Sequence, residues 1–201
     1  MTHQAPFIFN LAPDKKIIIL IEESDEPINA DFECQIAFED QGQRIFITQD
    51  STLDIFISTL HKLLRKGVHQ ELLLHKSMIE NPGYLYNQWL NEADTNLIYL
   101  TNQYHETYWV GFKYQLTSHV YTSWIYNNKK GDIIFEMTPI YPASLIDESN
   151  PIEVANYKKW MKNYQPVVTE IIPKEIAQQW LAQTTEISAT LDKNSAKLHA
   201  Q

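Results

Sequence analysis

Glu136 stands between Phe135 and Met137 and shares its strand face with Ile134, so its carboxyl belongs to a face that is not wholly solvent. A carboxyl so placed can work as a general acid or base. His105, Glu136 and a tyrosine converging in an aromatic pocket would make an enzyme site assembled from distant positions. The scaffold alternative is a structural ion pair between Glu136 and Lys113. His105 and Glu106 are also neighbours in sequence, but adjacent residues on extended chain point to opposite faces, which leaves them as loop decoration. Cys34 would be a nucleophile only as an accessible thiolate; it alternates with Phe32, Ile36 and Phe38 and reads as a small buried hydrophobe.

Metal and cofactor chemistry find less support. The seven histidines include no i, i+4 pair and no cluster with acids at ligand spacing. The run Glu22-Glu23-Ser24-Asp25-Glu26 lacks the glycine and the spacing of a calcium loop. The five glycines are scattered, so no phosphate cradle forms. A single cysteine excludes an intrachain disulfide and a cysteine metal cluster, which suits a reducing compartment. No catalytic residue, metal or cofactor is expected.

Charge is more informative. Eleven of the 25 acidic residues but only three of the 16 basic ones fall in the first 54 positions, so this segment carries −8 of the formal −9. A one-signed surface attracts cationic partners and repels phosphate backbones, which argues for a basic protein partner and against nucleic acid. The longest apolar run, Ile17 to Ile21, is far below the roughly 20 residues that span a bilayer. Met1 to Pro6 lacks the basic residues that open a secretory signal. No membrane association is expected, and the cytoplasm is the expected compartment.

The elements that hold these residues are legible in part. Ile17 to Glu22 reads as a buried strand, and the acids from Glu22 to Glu26 as the loop that closes it. From Phe32 the pattern alternates, with Glu33, Gln35, Ala37 and Glu39 on an acidic solvent face; Asp40 to Gln43 turns the chain at Gly42, and Arg44 to Thr48 returns. Ser51 to Asp54 approximates a capping box for a helix whose stripe is Leu53, Phe56, Ile57, Leu60, Leu63 and Leu64. Glu71 to His75 suggests a short strand, Asn81-Pro82-Gly83 a turn, and Tyr84 to Asn91 a short helix or a loop. Four strands follow at Leu97 to Thr101, Tyr108 to Leu116, Tyr121 to Tyr126 and Ile133 to Thr138. Asn150 caps one further helix and Pro173 starts another, with a frayed polar tail from Lys193 to Gln201. The expectation is a single α+β domain over residues 1 to 192, an antiparallel meander packed on one face by about three helices.

Fourteen of the 24 aromatics lie between Tyr84 and Tyr141. Tyrosine and tryptophan make rigid amphipathic anchors at interfaces, and Trp109, Tyr121 and Tyr126 are the three least explained by the core; the scaffold alternative is cross-strand packing. With the acids Glu22, Glu23, Asp25, Glu26, Glu33, Glu39 and Asp40 they make the expected partner-binding set.

The block Trp109-Val110-Gly111-Phe112-Lys113-Tyr114, with Ser123-Trp124-Ile125-Tyr126-Asn127 and Phe135-Glu136-Met137-Thr138-Pro139-Ile140-Tyr141-Pro142, resembles a stretch found in bacterial proteins. Some of these are similar to immunity proteins of polymorphic or contact-dependent toxin systems. The resemblance covers roughly residues 97 to 142 as a strand-and-turn texture, with no family active site to transfer. It implies a small cytoplasmic α+β protein that inhibits a basic toxin or effector by binding it. The other classes consistent with the chain are the assembled enzyme site and a structural subunit of a bacterial or phage assembly. Nothing in the sequence decides the oligomeric state.

Overall fold

In the computed structural model the described residues are 3–22, 24, 26–78, 81–92, 97–142 and 146–198. The chain opens as an antiparallel four-stranded meander of β1 (His3–Ala12), β2 (Lys15–Glu22), β3 (Glu33–Asp40) and β4 (Gln43–Thr52). The inner strand β2 buries every residue from Ile17 to Ile21, the pattern of a strand covered on both faces. β1 carries Pro6 at an edge, where the missing N–H costs no ladder bond, and its register slips between Gln4 and Phe7. Between β3 and β4, Gln41 and Gly42 both take positive φ (49° and 80°), the mirror-image turn that a two-residue hairpin favours.

The second sheet has the order β10-β9-β8-β7, built from β7 (Gln115–Ser118), β8 (Tyr121–Asn127), β9 (Ile133–Pro139) and β10 (Val168–Ile172), all antiparallel. A small ribbon pairs β5 (Tyr99–Thr101) with β6 (Thr107–Trp109). The helices are α1 (Leu53–Val68), α2 (Pro82–Asn91), α3 (Pro151–Lys162) and α4 (Lys174–Leu198). One hydrophobic core joins both sheets: Phe38 of β3 meets Phe135 of β9 at 5.7 Å between ring centres. α1 touches β4, β7 and β8 on one side and α4 on another, and α4 closes over β1. Among the described residues no helix is long and apolar enough to cross a membrane.

The α+β class holds, but the strands form two main sheets and a ribbon where the sequence suggested one meander. The stretch Tyr108 to Leu116 is not one strand. A 3-10 turn at Val110–Lys113 breaks it, because Trp109, Val110 and Gly111 are buried in succession, which an alternating strand with one wet face cannot do. Ser51 does not cap α1; it belongs to β4, and no side chain caps the helix at Thr52. The first helical N–H groups are taken by backbone instead, Leu53 donating to Phe32 O and Asp54 to Ala30 O. Glu71 to His75 forms only an isolated bridge, Leu73 to Asn127. Asn150 caps α3 as expected, accepting from Ile152 and Glu153. The residues from Lys193 to Leu198 are not a frayed tail. They complete α4, where Asn194 donates to Ile28 O at 2.8 Å. Positions 199 to 201 lie outside the described residues.

Candidate binding surfaces

The acidic segment divides into two chemically different ends. At the tip beside Gly42, Glu39 lies in a row across three strands, with Lys16 opposite it on β2 and Arg44 opposite it on β4. Lys16 Nζ stands 2.8 Å from Glu39 Oε1 and Arg44 Nη2 2.9 Å from Oε2, so hydrogen bonds from Lys16 and then Arg44 hold this carboxyl below its ordinary range. Asp40 faces Lys15 at 3.8 Å, and Lys15 also pairs with Glu170 of β10, which raises the ammonium above its usual value. Glu39 and Asp40, expected on an open acidic face, are thus neutralised and half-buried. Between Glu33 and Glu39 the same face holds half-buried Gln35 and fully buried Ala37, because β3 lies between two partners.

The opposite end of the sheet keeps its charge. Glu22 and Glu33 follow directly on the last β2–β3 pair, Ile21 with Cys34, and both are exposed. Glu26, Asp31 and Asp54 are exposed beside them, the last drawn against the loop by its N–H bond to Ala30 O. None of these five carboxylates has an ion pair among the described residues. Glu23 and Asp25 lie outside the described residues. Next to Asp54 stands Ile55, 63% exposed. Sequence reasoning passed over Ile55, Asp31 and Asp54 as site residues. The signal was present in Ile55, an isoleucine that falls off the apolar stripe of α1.

Two of the three aromatic anchors need correction. Trp109 is 1% exposed and Tyr126 7%, so neither meets a partner directly. Trp109 is the centre of a cluster, with ring centres 6.0 Å from Tyr86, 6.3 Å from Trp89, 5.6 Å from Phe112 and 6.1 Å from Trp124. Tyr121 is half-buried. The open tyrosines are instead Tyr99 and Tyr104, carried by the β5–β6 ribbon.

His105 and Glu136 do not share a pocket, one being exposed and the other buried. Glu136 is 2% exposed and accepts from Tyr126 at 2.9 Å, not from Lys113, which is exposed; burial pushes its carboxyl up to about 7. His105 lies exposed in the β5–β6 turn with φ of 63°, its N–H bonded to Asn102 O. Burial likewise pushes the Cys34 thiol up to about 12. Among the described residues no three His, Cys, Asp or Glu side chains gather as a metal site.

The fold and these surfaces define an α+β protein of two main antiparallel sheets and a ribbon, with one acidic end that has no ion pair among the described residues. Set beside protein-family models, curated proteins and solved structures, the chain matches none of them.

Proposed function

We propose that this chain is a non-enzymatic binding protein of the immunity or inhibitor type, which holds a basic toxin or effector against the end of the first sheet marked by Glu22, Glu26, Asp31, Glu33 and Asp54. One observation carries the reading. Within a single charged segment Glu39 and Asp40 at the hairpin tip are neutralised in place, whereas these five have no ion pair among the described residues, and Asp54 stands next to an isoleucine that is 63% exposed. Unpaired charge at a rim chiefly speeds encounter and selects the partner's sign, and a desolvated apolar residue supplies affinity. The lone buried Cys34 and the absence of any possible disulfide fit action in the reducing cytoplasm.

The test is affinity capture of basic proteins from the native cell extract, with salt raised from about 0.05 M to about 0.5 M to screen exposed charges. Wild type retains a basic partner at low salt and releases it at high salt. The triple variant Glu22→Lys, Glu26→Lys, Glu33→Lys loses it, while Glu39→Lys, at the paired tip, keeps it. Retention by the triple variant, or capture of no basic protein, would sink the reading.

A further inference from the structure

A cleft of about 500 Å³ opens between one flank of α1 and the segment from β5 to β7. Its helical wall is Thr59, Lys62, Leu63 and Lys66, spaced so that they share one face. The facing wall brings Tyr108, Phe112 and Lys113. Three lysines thus line one concavity from two separate elements. Lys62 and Lys113 are exposed, Lys66 is half-exposed, and none has an ion pair among the described residues. The carboxylate of Glu106 is held by the cleft residue Asn102 through its amide at 2.7 Å. Lysines near the end of α1 gain a little from the helix dipole, but that does not account for Lys113 on the facing wall.

Like charges focused in a cleft repel one another until an anion enters. The volume suits a small molecule rather than a macromolecular surface. Phe112 gives that molecule a rigid apolar wall, because its ring is fixed edge-on against Trp89 at 5.0 Å and Trp109 at 5.6 Å. We propose that this cleft binds a small polyanion carrying two adjacent phosphates, either pyrophosphate itself or the diphosphate of a nucleoside whose ring lies on Tyr108 and Phe112. The site shares no residue with the acidic end, so its fate is independent of the partner-binding reading.

Calorimetric titration of the full chain with inorganic pyrophosphate and, separately, with ADP tests it. Saturable one-to-one binding with a dissociation constant below about 1 mM is expected for at least one probe. Lys62→Ala and Lys113→Ala each weaken it roughly tenfold, the loss of one charge-assisted contact, and Lys113→Arg restores it. Lys130→Ala, at a different cleft, leaves the affinity unchanged. Tighter binding of ADP assigns the nucleoside diphosphate, and equal binding assigns the pyrophosphate group alone. Failure of both probes to bind, or equal weakening by Lys130→Ala, overturns the proposal, the latter because it would mark a diffuse field rather than a site. Thermal midpoints matching wild type confirm that each variant is folded.

Discussion

Tyr126 donates its phenolic hydrogen to Glu136 Oε2 at 2.9 Å and leaves the other carboxyl oxygen buried with no hydrogen bond among the described residues. Burial is the larger influence on this carboxyl and raises it from 4.5 to about 7, while the tyrosine pulls the other way. The folded protein therefore keeps a proton that the unfolded chain has already lost. Stability falls as pH rises between these two values, by on the order of 3 kcal/mol in full, and is unaffected by this group below the window. Glu136→Gln removes the linkage, so its stability relative to wild type should improve from pH 4.5 to pH 8. Urea denaturation at both pH values measures this, and a pH-independent difference would contradict it.

Gly111 tolerates no side chain for a reason outside backbone freedom. A Cβ there would lie 2.2 Å from the Trp109 ring, which Trp89, Phe112 and Trp124 pin from other sides. Gly111→Ala should cost about 2 kcal/mol or more, as overpacking does. Gly42→Ala meets nothing within 4 Å and strains only a φ of 80°, for about 1 kcal/mol. Chemical denaturation of the two variants should rank them in that order.

Asn127 is fully buried and joins three segments. It accepts from Leu72 N–H at 3.1 Å and donates to Gly67 O at 2.9 Å and Gly131 O at 3.2 Å. Asn127→Leu fits the volume and strands those groups, so a loss of about 2 to 4 kcal/mol is expected. The loss should appear as faster hydrogen exchange at Leu72.

Cys34, 2% exposed and pushed up to about 12, should resist iodoacetamide at pH 8 in the folded protein and react promptly in denaturant. Mass spectrometry reads the label; rapid modification of the native chain would refute the buried placement.

What could be read from the chain was whatever depended on local pattern. The α1 stripe, the Gly42 turn, the Asn150 cap and the burial of Cys34 all follow from spacing within a few residues. β10 was not foreseen, because it is held by pairing with β9 some 30 residues away and offers only a short run with Thr169 and Glu170 in it. β1 was obscured by Pro6, acceptable only once the strand is known to be an edge. The candidate surface was half legible. Charge counting located the acidic segment, but the neutralising of Glu39 depends on cross-strand register, and Glu170 reaches Lys15 across 155 positions. Trp109 stands in the stretch Tyr108 to Leu116 that reads as one strand, whereas the 3-10 turn from Val110 follows it and its ring is buried in the core.

The position of α4 also sets a timetable. Trp180 packs on Phe9 and donates to Asn10 O, Gln183 donates to Ile8 O, Thr184 meets His61, and Asn194 reaches Ile28. During synthesis the ribosome emits the first meander and α1 about 100 residues before the helix that covers them. Until then the side of α1 that α4 covers and one side of Phe9 stand open to other chains. A nascent chain interrupted before Lys174 is thus a sticky fragment rather than a smaller working protein, and chaperone dependence should peak just ahead of the last helix.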